Sequence, residues 1–184
     1  GIGLPGAGKT QPLSFLTPAG DDDDLAQYFY RSDGFTPAAF VSHQASRTAA
    51  QLDDIDLLPR IKDRALLTPE LAPVFRSRGS DLHQRMSILA SVFDGTGYVS
   101  DSGAHGRRGH QGDFSFGWLG ASTPLSEEAW RALAAIGPKL FFFDITRRRR
   151  SAEELARSLA AGDDDAAQQE CREVVRQFIA ELYW

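Results

Sequence analysis

Cysteine is almost absent from this chain: Cys171 is the only one in 184 residues, so no internal disulfide and no cysteine-based zinc cluster can form. Its place in an apolar helical pattern reads as a buried thiol acting as a small hydrophobe. Long apolar runs are missing as well. The strongest, Leu140-Phe141-Phe142-Phe143, falls far short of a membrane span. The opening residues show no basic region followed by a signal-like hydrophobic stretch. No membrane partner and a cytoplasmic location follow as the expectation. Positive charge is in deficit, 20 Lys and Arg against 25 Asp and Glu for a formal net charge of -5, which argues against a whole-surface nucleic-acid binder and leaves room only for a local basic patch.

What is present begins at Gly3-Leu4-Pro5-Gly6-Ala7-Gly8-Lys9-Thr10, which has the full spacing of a phosphate loop. Gly3, Gly6 and Gly8, with the small Ala7, let the backbone turn its N–H groups toward phosphate oxygens. Lys9 can reach the terminal phosphates and Thr10 offers a hydroxyl to Mg2+. Such a loop follows a buried strand and opens a helix. Here only Gly1 and Ile2 precede it, so the core is expected to be truncated before its first strand. Pro12 restricts the following helix to a short one ending before Thr17-Pro18.

The rest of the chain supplies candidates to stand around that loop. Asp21 to Asp24 read as the start of a short helix rather than a metal site, because adjacent carboxylates cannot converge on one ion without a returning turn. His43 reads as a structural or surface histidine, and Asp53, Asp54 and Asp56 as capping or solvating a loop. Residues 65–68 have the makings of a short buried strand that Pro69 ends, placing Glu70 just beyond the carboxyl end. Ligands bind at that edge of an open α/β sheet, so Glu70 is a candidate for orienting water or holding Mg2+ through water; capping Leu71 onward is the other use. A helix from Asp81 to Phe93 carries an apolar stripe of Leu82, Met86, Leu89 and Phe93. A glycine-rich stretch, residues 97–112, fits a long hairpin whose tip holds His105, Arg107, Arg108 and His110. Those arginines can touch a nucleic-acid backbone, reach a neighbouring subunit's nucleotide, or be solvated.

Residues 114–121 read as a central strand with Gly120 close-packed, delivering Ser122 and Thr123 to the same edge as Glu70. Thr123 can orient water or sense the terminal phosphate, or a hydroxyl here can cap the next helix, for which Ser126 is the better choice. Residues 140–145 read as a further apolar strand. The run Arg147 to Arg150 suits phosphates or a solvated face equally. Two helices close the chain, the second with an apolar face of Cys171, Val174, Val175, Phe178, Ile179 and Leu182.

Taken together, residues 3–10, 58–70, 93–95, 120–124 and 137–143 resemble a family of P-loop ATPases encoded by phages, plasmids and other mobile elements, often described as helicase-like or primase-associated. The resemblance covers most of residues 1–150. It implies an α/β fold related to the AAA+ and helicase ATPases: a three-layer sandwich with a mostly parallel sheet over residues 1–146, and a helical lid or interaction segment over 147–184. It further implies that Lys9 and Thr10 bind phosphate and Mg2+, that Glu70 is the acid of the second ATPase motif, and that Thr123 is sensor-like. Lys139 stands where relatives often carry arginine, which keeps the charge without the bidentate fork. The hairpin resembles a DNA-contacting feature of ring helicases, pointing to Arg107 and Arg108. The expected function is Mg2+-dependent ATP binding and hydrolysis coupled to a nucleic-acid transaction, with DNA, an adjacent domain or further copies of the chain as partners. A non-hydrolysing nucleotide-binding module and a small-molecule kinase are the alternatives.

Overall fold

The computed structural model describes residues 1–5, 7–42, 48–76, 80–103, 106–146, 151–160 and 164–182. Its helices are α1 (Thr10–Leu16), α2 (Ala49–Ile55), α3 (Leu57–Ile61), α4 (Ala72–Phe75), α5 (Ser80–Phe93), α6 (Glu127–Ala135), α7 (Ala152–Ala160) and α8 (Asp164–Leu182). Its strands are β1 (Phe29–Arg31), β2 (Ala65–Thr68), β3 (Gly97–Ser102), β4 (Gly106–Gln111) and β5 (Gly117–Gly120).

β1, β2 and β5 form a parallel sheet in that order, with Leu66 beside Tyr30 on one flank and Trp118 on the other. Beyond β5 the array continues by single bridges: Ile2 pairs in parallel with Ser122 and with Asp144. The Ile2 amide donates to the Phe143 carbonyl at 2.8 Å and its carbonyl accepts from Ile145 at 2.7 Å, while Ser122 receives Gly3 and gives to Gly1. Residues 1–3 therefore stand between two parallel neighbours, with Ile2 only 6% exposed. The strand expected over residues 140–145 is limited to the bridge at Asp144, where the segment exchanges hydrogen bonds with Ile2.

Successive residues of a strand face opposite ways, and β2 uses that to bury Leu66 and Leu67 in different clusters. Leu66 packs with Leu58, Ile61, Leu82, Met86, Leu89 and Val92 among others; Leu67 packs with Leu13, Leu25, Phe29, Ala121 and Ile179. Helices thus cover both faces of the sheet, an α/β sandwich in which α3, α5 and α6 lie on one side and α1 and α8 on the other. α5 follows the expected stripe, except that Val92 is fully buried while Phe93 is half-buried against Phe116 and Trp118.

β3 and β4 form a separate antiparallel hairpin in the register Ser102–Gly106, Ser100–Arg108, Gly97–Gln111. Arg107, Arg108 and His110 lie inside β4, paired across to Asp101, Ser100 and Tyr98, and not at the tip, contrary to expectation. The reason is the close approach of the two backbones. A Cβ on Gly97 would stand 2.2 Å from the His110 carbonyl oxygen, and one on Gly109 would stand 2.1 Å from that of Tyr98, so these glycines belong to the strands rather than to a turn. Cys171 is exposed, which corrects its reading as a buried thiol. His43, His105 and Arg147 to Arg150 lie outside the described residues. No described helix is long and apolar enough to cross a membrane.

Candidate functional site

The glycine-rich loop leaves the sheet at the carboxyl end of residues 1–3. Gly3 is required there: a Cβ would meet the Ile145 carbonyl oxygen at 2.5 Å. Gly8 turns the chain with φ +78°, a conformation L side chains rarely adopt, and the chain then enters α1 at Thr10. Lys9 stands at the N-cap position and folds back over the loop, its Nζ donating to the Leu4 carbonyl at 2.8 Å. Thr10 is exposed, and Pro12 is accommodated in the first turn of α1, as expected. Gly6 lies outside the described residues.

Two further stretches arrive at the same edge. β2 ends on Thr68, wholly buried and accepting the Trp118 indole N–H at 3.0 Å. Pro69 then stops the ladder and Glu70 follows, exposed, its Oε1 accepting the Ala72 amide at 3.0 Å. The next residue, Leu71, donates its amide to the Ala121 carbonyl at 2.7 Å. Gly120 allows that approach, since a Cβ there would lie 2.5 Å from Leu71 Cδ1. Ser122, 1% exposed, donates its hydroxyl to the Thr123 carbonyl at 2.8 Å and joins the backbone of Gly3. One row of backbone hydrogen bonds, Leu71 to Ala121 and Ser122 to Gly3, thus sets the segments carrying Glu70, Thr123 and the loop side by side.

Two clefts open at this edge, sharing Pro124 and Leu125. The larger, about 610 Å³, is walled by Leu4 and Pro5 of the loop, by Trp130 of α6 and by residues 144–146. The smaller, about 360 Å³, is lined by Thr123, Arg76 and Glu128 with Ala72 and Phe75. Arg76 and Trp130 were not legible as site residues, because neither sits in a motif and each is brought to the edge by a helix packing on the sheet. Ser126 caps α6 as expected, accepting the Ala129 amide at 3.2 Å.

The hairpin stands apart from both clefts. Arg107 is exposed; Arg108 is half-buried with its Nη1 on the Arg107 carbonyl at 3.5 Å, and its Nε is buried with no partner among the described residues. At the base of β4, His110 Nε2 lies 2.8 Å from Asp56 Oδ2 and its Nδ1 3.4 Å from Asp53 Oδ1. Asp56 is 1% exposed and also accepts the Ser42 amide at 2.9 Å; it stands at the N-cap position of α3, but its side chain makes buried hydrogen bonds instead of capping the helix or solvating a loop. Lys139 pairs with Asp94 at the end of α5. Among the described residues no three acidic, histidine or cysteine side chains converge as a metal cage. Comparison with protein-family models, with curated proteins and with solved structures found no match.

Proposed function

We propose that this chain is a P-loop ATPase module that binds ATP with Mg2+ and hydrolyses it in service of a nucleic-acid transaction of a mobile element. One observation carries the reading: the sequence that fills every position of the phosphate-binding pattern starts right after Ile2, a buried residue bridged in parallel on both sides. In open α/β sheets the crevice beyond the carboxyl ends of the strands is where ligands bind. The helices on both faces and the bridges beyond β5 suit a P-loop core whose first strand is residues 1–3.

The residues at the loop fit the group. Mg2+ keeps several waters and needs only one or two protein oxygens beside the phosphates, a demand met by the exposed Thr10 hydroxyl with Glu70 acting through water. The Nζ of Lys9 has only to leave the Leu4 carbonyl to reach phosphate oxygens. Magnesium-bound nucleotide would supply a polarised terminal phosphoryl; the chain holds it with loop amides and Lys9. Glu70, released from the Ala72 amide, would orient water, and Thr123, which lines the neighbouring smaller cleft, is the candidate sensor. Arg107 and Arg108 are offered on a hairpin clear of the clefts, for DNA or for a neighbouring copy.

The test is Mg2+-dependent phosphate release. Lys9→Ala and Glu70→Gln should each lower it at least about 100-fold, the scale of losing one charge-stabilising group; turnover indifferent to both changes would sink the ATPase reading. A second reading, a nucleotide-binding module without hydrolysis, is favoured by the engagement of the Glu70 carboxylate with the Ala72 amide. It predicts ATP binding that Lys9→Ala removes, with no phosphate release. Phosphate delivered to an acceptor instead of water would redirect the assignment to a kinase.

A further inference from the structure

We propose that the larger cleft beside the loop is a binding site for a planar aromatic ring, the base of the nucleotide whose phosphates the loop holds, and that Trp130 is the residue that grips it. The inference rests on the nucleotide reading above and adds to it the recognition of the base. At about 610 Å³ the cleft has the size of a small-ligand site, and the loop itself, through Leu4 and Pro5, is one of its walls. A molecule anchored on the loop by its phosphates therefore has this space within reach. Pro124, Leu125 and Trp130 line the cleft as well, so its lining is largely apolar, and the polar groups Asp144 and Thr146 come from the strand-end segment.

That chemistry selects the occupant. A phosphate set against the Pro124, Leu125 and Trp130 side chains would lose hydration there, whereas a heterocycle loses little and gains an indole to stack on. Trp130 is suited to the task. It is 40% exposed, leaving ring surface uncovered, yet its edge-to-face contact with Phe142, 4.7 Å between centroids, already holds it in place. A pre-ordered aromatic contributes binding without the entropic cost of fixing a free side chain. Leu4, 71% exposed, lines the same cleft and adds an apolar side chain to it.

The experiment compares MgATP with magnesium tripolyphosphate, which has the phosphates and no base, by calorimetric titration of the wild-type chain, Trp130→Ala and Trp130→Phe. Base stacking on an aromatic side chain corresponds to a loss of about 5- to 100-fold in affinity on alanine substitution. MgATP should weaken by that factor with alanine and by much less with phenylalanine, while tripolyphosphate binds all three chains alike. Equal affinity of the wild-type chain for both ligands, or an alanine variant that binds MgATP unchanged, overturns the proposal and leaves the nucleotide reading standing. If neither ligand binds the wild-type chain, the nucleotide reading falls and this one with it.

Discussion

His110 has both ring nitrogens facing carboxylates, and that decides what it can do. A general base needs a free lone pair directed at a substrate proton; here Nε2 is committed to Asp56 and Nδ1 to Asp53. The contact is structural, tying the hairpin to the α2–α3 corner. Asp53 is well exposed and adds little, but Asp56 is buried, and removing His110 takes away one of the donors that satisfy its carboxyl, leaving the Ser42 amide among the described residues. His110→Ala is therefore expected to destabilise the fold by about 2–4 kcal/mol, read as a lowered urea midpoint. Combining it with Asp56→Ala should cost less than the two single losses together; strict additivity would refute the pairing. Nothing local in the sequence announces this contact, since its partners are 54 positions apart. Gly120 is the opposite case: an isolated glycine in a strand-like run signals close approach of another chain segment, and Leu71 is that segment.

At the scale of elements, α8 shows why an apolar helical face is not yet a buried one. Its pattern promises a broad stripe, but only Val175 and Ile179 turn toward the sheet, while Val174, Phe178 and Leu182 are each more than half exposed. An ionic contact ties the helix to the 3₁₀ turn beside it. Arg176 donates to both oxygens of Asp23, at 2.9 and 2.6 Å, and Asp23 also caps the 3₁₀ turn Asp24–Gln27. The acidic run is thus helix-capping, as its position suggested, with an anchoring role added by the fold. Asp23 is held well below the ordinary carboxyl range, chiefly by the Arg176 hydrogen bonds and then by the Ala19 and Leu25 amides. A depressed folded-state value means that the stabilisation is present above the unfolded value of about 3.9 and is lost as pH falls through the folded one. Arg176→Gln should cost about 1 kcal/mol at neutral pH, a modest figure because the guanidinium is partly solvated. It should also flatten the decline in stability below about pH 4. Acid limbs of equal slope in the two chains, measured by denaturant titration, would show that the pair does not anchor α8.

For the whole molecule, the proposal makes stability depend on ligand. A nucleotide bound only by the folded chain adds about 2.7 kcal/mol at one hundred times its dissociation constant, so saturating MgATP should raise the melting temperature. Lys9→Ala should abolish that rise while leaving the ligand-free melting temperature almost unchanged, because the Lys9 ammonium makes one exposed bond to the Leu4 carbonyl. A shift that persists in Lys9→Ala would place the nucleotide away from the loop. Much of the architecture was legible beforehand. The loop spacing, the strand at residues 65–68 stopped by Pro69, the capped α6 and the stripe of α5 are all local patterns, written in turn chemistry and apolar period, and these the sequence by itself determined. Only the tertiary structure decided which faces were covered, which strands lay side by side and which charges met. Bringing residue 3 to residue 122, residue 71 to residue 121 and residue 110 to residue 56 depends on layers closing over a common sheet, and the energy of such contacts is spread over the fold rather than carried by any short stretch of chain.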